Sequence, residues 1–238
     1  MTWVLVFIPG LLAGLVQGLT GFGAAIIMMI FLPSLLPMAQ SAGVAGLIMA
    51  ASVLTLVIRY RRALNVKRIL APFIIYASVA AWSVHLGQVL DLTVLRRLLG
   101  GLLVSLSLYF SIAKQAGTKP FPWWIAVSFM IISGFFNGLF GIGGPLMALY
   151  FLSLSHSTAK YTANLQLFFL VDVIYITTVR VINGILTPTI IPYVLVGMVG
   201  AVIGTALAAH WLPRLKMTVI RRGIYAFIGL SGLYYLIF

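Results

Sequence analysis

Long apolar segments separated by short polar stretches run along the whole chain. The pattern predicts ten helical segments: 3–19, 24–37, 41–58, 69–90 and 97–113, then 122–140, 145–155, 161–180, 187–212 and 221–238. Apolar runs of 16 to 25 residues recur, which is the length that spans a hydrocarbon core of about 30 Å. Their polarity does not alternate as it does in barrel strands. The pattern therefore predicts an all-α polytopic membrane protein.

A repeat divides the chain into two halves, and such repeats decide the architecture. The segment Gly14–Ala25, GLVQGLTGFGAA, matches Gly134–Pro145, GFFNGLFGIGGP, at an offset of 120 residues. Four glycines coincide, and Gln17 matches Asn137. The offset continues as far as the fourth segment of each half, and shifts by five residues after it. The predicted organisation is a first repeat at 1–113, a polar linker at 114–120 and a second repeat at 121–238.

The basic residues indicate how each glycine-rich break meets the membrane. As one helix, residues 3–32 would be about 45 Å long, too long for the hydrocarbon core without a steep tilt. If each break is a kink in a single crossing, the Lys and Arg residues divide eight against seven between the two sides. If each break is the tip of a re-entrant hairpin, they divide twelve against three, as the positive-inside rule expects. We therefore predict two inverted repeats, each a re-entrant hairpin followed by three transmembrane helices, with both termini outside the cytoplasm.

Composition agrees with a membrane protein and argues against several other classes. Hydrophobic residues make up 63% of the chain and charged residues 7%, far from the composition of a soluble domain. The net charge of +13 does not indicate a nucleic-acid partner, because nearly all basic residues lie at the ends of apolar runs. There is no cysteine, hence no disulfide. The start, MTWVLVF, lacks a basic n-region, so we expect no cleaved signal peptide.

The breaks are also the predicted binding site. Inverted repeats with broken helices are typical of secondary transporters, which bind substrate near the bilayer midplane. A helix that restarts after a break presents free N–H groups and the positive end of its dipole. The restarts near Gly23 and Gly144 are therefore predicted to face each other and hold an anion. Gln17, Thr20 and Asn137 are expected to add side-chain donors.

The spacing of the glycines separates the breaks from helix-packing positions. Gly21, Gly141 and Gly143 lie closer to the next glycine than packing needs, so we expect them to bring backbone close to the ligand, with positive φ at Gly143. Pro145 fits the first turn of the restarting helix. The outer glycines, such as Gly134, follow a small-xxx-small pattern that is typical of packing, and we expect them to tolerate alanine.

One carboxylate lies in the middle of a predicted span. Asp172 shares a helix face with Asn164, Phe168 and Tyr175, and ionisable residues inside a span are commonly functional. Two interpretations stay open: Asp172 carries a coupling proton, or it pairs structurally with Arg180, about 12 Å along the helix. The three histidines are scattered, and no nucleophile–base set occurs. We therefore expect no metal, no cofactor and no enzymatic activity.

These features resemble the sulfite exporter TauE/SafE family, and the resemblance covers essentially the whole chain. Its most specific element is the pattern G-x-x-x-G-x-x-G-I-G-G-P of Gly134–Pro145, followed by TAN at 162–164. The resemblance implies a transporter that moves sulfite, sulfoacetate or other small organosulfur or carboxylate anions across the bacterial inner membrane. By motif it implies these binding positions: Gly138, Gly141, Gly143, Gly144, Pro145 and Asn164. The first repeat departs from the motif, with Ala24-Ala25 in place of Gly-Pro and Val44 in place of Asn164.

Two alternatives to a secondary transporter stay open. One is an anion channel with the same pore residues, and the other is a membrane scaffold that transports nothing. The expected partners are a small anionic substrate and the lipid bilayer, without nucleic acid, and a homo-oligomer is left open. The residues do not indicate which anion is moved, in which direction, or with which coupling ion.

Overall fold

The computed structural model describes residues 4–112, 120–211 and 217–237, without the side chains of 211–222. The described residues form ten α-helices: α1 (Val4–Thr20), α2 (Ala24–Phe31), α3 (Met38–Tyr60), α4 (Lys67–Val89), α5 (Leu92–Ile112), α6 (Trp123–Phe140), α7 (Gly144–Ser153), α8 (Thr158–Ile182), α9 (Ile191–Trp211) and α10 (Met217–Ile237). Single 3₁₀ turns occupy Leu32–Ser34, Arg61–Ala63 and Pro188–Ile190. No strand occurs in this part of the chain, which confirms the all-α prediction. The predicted linker lies almost wholly outside the described residues.

Among the described residues, six helices are long and apolar enough to cross a membrane. They are α3, α4, α5, α6, α8 and α9. Large apolar side chains on the outside of the bundle, such as Ile74, Trp82 and Leu230, are more than half exposed, as lipid-facing side chains are when no lipid covers them. The chain is thus a multi-pass membrane protein.

The two halves pack into each other rather than side by side. Helix α1 lies mainly against α9, and α6 lies mainly against α4, while α5 pairs with α10 and α3 with α8. Glycines allow the closest approaches, since a Cβ at Gly14 would overlap the carbonyl oxygen of Ala201. The packing role of the outer glycines is confirmed. Their expected tolerance of alanine is wrong, because a Cβ at Gly134 would lie 2.5 Å from the carbonyl oxygen of Tyr76.

These contacts also correct the alignment of the two repeats. Gly14 and Gly134 are 120 residues apart, but their partners, Ala201 and Tyr76, are 125 residues apart. The five extra residues therefore lie before α9 rather than after it, in the longer connection that precedes this helix. A loop accepts an insertion without disturbing packing, whereas a helix does not. Structurally, Tyr76 corresponds to Ala201.

Successive contacts show that α1, α3 and α9 run in the same direction. The helix pairs touch at residue numbers that rise together along each helix. Gly197 of α9 contacts Gly10 of α1 and Ile48 of α3. One turn further along, Ala201 contacts Gly14 of α1 and Ser52 of α3. Since α1 and α3 are parallel, the chain between them has to turn back. Helices α1 and α2 therefore form a hairpin, which we name hairpin 1.

The second half has the same arrangement with the opposite direction. Helices α4, α6 and α8 are parallel, through the contacts Tyr76–Gly134, Ala80–Gly138, Tyr76–Asp172 and Gln88–Asn183. Helices α6 and α7 form hairpin 2. Helix α8 runs against α3, because Arg180 bonds to Ala39 and Asn164 bonds to Asn65. These directions are the ones that two inverted repeats would have, and the inversion across a bilayer stays a prediction.

Cysteine labelling tests that prediction in a chain that has no native cysteine. Tyr60 ends α3 and Ser157 precedes α8, so they lie at the same end of the bundle. We expect Tyr60→Cys and Ser157→Cys to react with an impermeant reagent from the cytoplasmic side. Asp91→Cys, after α4, should react only from the other side. Labelling of positions 60 and 157 from opposite sides would refute the hairpins.

Candidate functional site

Both predicted breaks occur, and glycine conformation explains them. Helix α1 ends at Thr20 and α2 begins at Ala24, with Gly21 at φ 84° and Gly23 at φ 100°. These left-handed values favour glycine. The Thr20 hydroxyl donates to the Val16 carbonyl oxygen at 2.8 Å. We call residues 21–23 tip 1.

The second break differs in one detail from the prediction. Helix α6 ends at Phe140 and α7 begins at Gly144, and residues 141–143 form tip 2. Gly141 has φ 71°, but Gly143 has φ −102°. The expected positive φ at Gly143 is therefore wrong. Glycine is needed there for space, because a Cβ would overlap the Tyr76 hydroxyl.

Two buried amides hold tip 1. The Gln17 side chain is wholly buried, and its Oε1 accepts from the Ala24 N–H, the first of α2, at 3.2 Å. Its Nε2 donates to Gln166 Oε1 at 3.1 Å. Gln166 donates in turn to the Gly21 carbonyl at 2.6 Å. The first N–H of α2 is thus occupied by protein, and Gln166 bridges α8 to α1.

A carboxylate cluster lies beside tip 2. Asp172 is 1% exposed. It accepts from the Asn137 Nδ2 at 3.0 Å and from the Tyr76 hydroxyl at 3.2 Å. Neither Gly143 nor Gly144 donates its N–H to another residue in the part of the chain that the structure describes. The start of α7 therefore presents the free donors of Gly143 and Gly144, whereas at the start of α2 the Ala24 N–H is already occupied by Gln17.

The two tips meet around one small cavity. A Cβ at Gly144 would lie 3.2 Å from the Phe22 Cβ. The cavity is lined by Phe22, Gly23, Ala25, Ile26, Met49, Tyr76, Asn137, Gly141, Ile142, Gly143, Gly144, Pro145, Phe169 and Asp172. It has room for about one water molecule. Met49 and Asp172 lie near the middle of α3 and α8, so this tip cavity is near the middle of the bundle.

The structure brings together seven of the predicted site residues and places five elsewhere. Those lining the tip cavity are Gly23, Asn137, Gly141, Gly143, Gly144, Pro145 and Asp172. Gln17, Thr20 and Gly21 bond within or beside tip 1. Gly138 packs against the Ala80 carbonyl. Asn164 accepts from the Asn65 N–H at 2.8 Å, which ties α8 to the loop before α4.

Two important residues were not predicted. Tyr76 lies on α4, outside both glycine motifs, and only the packing of α4 against α6 brings it to tip 2. Arg180 was predicted to end the segment 161–180 and was considered only as a partner of Asp172, but α8 continues to Ile182 and the side chain is 1% exposed. The apolar Val181 and Ile182 after it were the available signal. Because Arg180 is buried, it does not count toward either membrane side. In the hairpin arrangement the remaining Lys and Arg residues divide twelve against two between the two sides.

The two halves of the site are unequal. Asp172 corresponds to Ser52 at the 120-residue offset, and Tyr76 corresponds to Ala201 in the packing. In the first repeat Ser52 bonds to the Ala201 carbonyl at 3.3 Å and to Thr205 at 2.9 Å. These small residues form a packed contact where the second repeat has a carboxylate and a phenol. Amides hold both tips, but the carboxylate and the phenol lie beside tip 2.

The family model described as sulfite exporter TauE/SafE matches residues 6–235, nearly the whole chain. No curated protein and no solved structure matches the chain.

Proposed function

Because the chain belongs to the sulfite exporter TauE/SafE family, whose members are transporters, we propose that it is a secondary transporter. Its cargo is a small anion such as sulfite, an organosulfonate or a related carboxylate. The direction is export across the bacterial inner membrane. No cofactor takes part in this proposal.

One observation, more than any other, supports an anionic substrate. The start of α7 presents the free N–H groups of Gly143 and Gly144 to a cavity near the middle of the bundle. Such donors, with the positive end of the helix dipole behind them, form an anion site. In a low-dielectric interior this attraction is stronger than in water.

The residues divide into ligands and supports. The backbone of Gly143 and Gly144 and the Asn137 amide are the groups that would touch the anion. Gln17 and Gln166 hold tip 1 in place. Phe22 and Phe169 form apolar walls of the tip cavity. Affinity then comes mainly from tip 2, while tip 1 shapes the cavity.

Transport requires the two tips to move apart. The cavity admits about one water molecule, and sulfite has four heavy atoms. Each tip joins its helices through three residues with glycines, which act as hinges. Separation of the tips toward one side of the membrane and then the other would give alternating access. In this proposal the structure corresponds to a closed form.

Asp172 is the candidate for proton coupling. In the part of the chain that the structure describes, its carboxylate bonds to two neutral groups, the Tyr76 hydroxyl and the Asn137 amide. It also lines the tip cavity. A substrate anion and an ionised Asp172 would repel each other at this distance. Protonation of Asp172 would therefore favour anion binding, and the proton and the anion would cross together, so that export occurs when the outward gradient of the anion exceeds the inward gradient of protons.

Accumulation in proteoliposomes tests the proposed function. Purified protein should concentrate labelled sulfite above its outside level when a proton gradient is imposed. A channel would only equilibrate sulfite, and a scaffold would give no flux. A thermal-stability screen against sulfite, sulfonates and carboxylates identifies the cargo, since a ligand at about 100 times its Kd stabilises by about 2.7 kcal/mol. Flux that stops at equal concentrations would refute a secondary transporter.

A further inference from the structure

A second cavity extends from the tip cavity toward the end of α8. It shares Met49, Asn137, Gly141 and Asp172 with the tip cavity and is enclosed by α3, α6 and α8. Gly46 lines it on α3 and Arg180 lines it on α8. Like the first, it has room for about one water molecule, so it too has to widen, as the tips do, before it admits sulfite. None of the roles given above to the tip residues uses this cavity.

The Arg180 guanidinium has more N–H donors than its hydrogen bonds use. Its guanidinium donates to the carbonyls of Ala39 at 2.9 Å, Asn137 at 3.1 Å and Gly138 at 2.8 Å. A guanidinium carries five N–H donors, so two are left. One of these is on Nε, which is buried and has no partner among the described residues. The side chain is 1% exposed, so bulk water does not solvate it.

The charge of Arg180 is not matched at short range. All three of its acceptors are carbonyl oxygens. Asp172, eight residues earlier on α8, attracts Arg180 electrostatically, but no hydrogen bond joins the two, and the carboxylate bonds to Tyr76 and Asn137 instead. A buried cation without a hydrogen-bonded anion is costly. An anion in the second cavity would remove that cost.

We propose that Arg180 binds an oxyanion in the second cavity. This would be a second binding site for the anion on its path through the bundle, and we call it the second station. This inference rests on the proposed function, because the oxyanion is the transported substrate. The planar guanidinium suits the oxygens of a sulfite, sulfonate or carboxylate group. Gly46 leaves space opposite, since a Cβ there would meet nothing within 4 Å. The second station lies between the tip cavity and the side of the membrane where α8 ends.

Variants of Arg180 test whether its charged guanidinium binds the anion. With sulfite as the probe, we expect Arg180→Gln to need about tenfold more sulfite, or more, for the same rise in melting temperature, because a hydrogen bond to a charged group is lost. The KM for transport should rise in parallel. Arg180→Lys keeps the charge without the planar pair of donors, so its loss should be smaller.

A variant that does not touch Arg180 separates binding from folding. Gly46→Val fills the second cavity and leaves the three carbonyl contacts of Arg180 intact. We expect it to weaken sulfite binding about as much as Arg180→Gln does. Gly101→Val, in α5, is the matched control, since a Cβ there also meets nothing within 4 Å, and it should bind as the wild type does. If Gly46→Val also binds sulfite normally, Arg180 only holds carbonyls and the inference is wrong.

Comparison with a tip variant distinguishes this inference from the proposed site. If Gly143→Val loses sulfite binding and Arg180→Gln does not, the tip site is supported and the second station is refuted. The reverse result supports the second station and refutes the tip site. If sulfite, methanesulfonate and acetate all fail to stabilise the wild type, both are refuted.

Discussion

Replacing Gly143 by valine should abolish transport while leaving the protein inserted in the membrane. A Cβ at this position would overlap the Tyr76 hydroxyl and lie 3.0 Å from the Asn137 Cβ. Tip 2 would have to move, and with it the N–H groups of Gly143 and Gly144. Each such bond to an anion contributes about 1.5–3 kcal/mol, so losing both lowers the affinity about 100-fold or more. Calorimetry with sulfite and flux in proteoliposomes measure this loss.

Two further variants show that the loss arises at the tip. Gly101→Val places the same side chain in open space and should transport normally. Tyr76→Phe removes the oxygen that a Cβ at position 143 would overlap, so Gly143→Ala should transport better with Tyr76→Phe than without it. Gel filtration and the melting temperature check that each variant is folded. Wild-type transport by Gly143→Val would mean that the site is not at the break.

Asp172→Asn should abolish uphill transport and leave counterflow exchange largely intact. Exchange moves no net proton, whereas uphill transport by a proton-coupled carrier does. The asparagine has nearly the shape of the protonated carboxyl. If the Asn137 amide turns over, its oxygen accepts from the new amide, so the hydrogen bonds of the cluster can be kept. The measurements are sulfite accumulation under a proton gradient and exchange of labelled for unlabelled sulfite.

The first repeat provides the control for this prediction. Ser52 occupies the position equivalent to Asp172 and bonds to Ala201 and Thr205. Ser52→Ala should lose some stability and keep coupled transport. Equal loss of exchange and uphill transport in Asp172→Asn, with normal expression, would indicate a structural role instead. Full uphill transport would exclude Asp172 as the proton carrier.

The sequence was sufficient for features that depend on local chemistry. Membrane insertion follows from long apolar runs, because lipid offers no partner to an unpaired backbone group. The breaks at tips 1 and 2 follow from glycines spaced too closely for packing, and the helices do end at Thr20 and Phe140. Asp172 was found because a lone carboxylate in an apolar span is costly.

The partners of these residues were decided by tertiary structure alone. Tyr76 reaches tip 2 only because α4 packs against α6, and no pattern within α4 marks it. Arg180 is buried because α8 extends past it and carbonyls of α3 and α6 accept its donors. Gly143 is needed for the space beside Tyr76 rather than for its φ. Contacts between helices far apart in the chain depend on how whole surfaces fit, and a one-dimensional pattern records only which face each residue occupies.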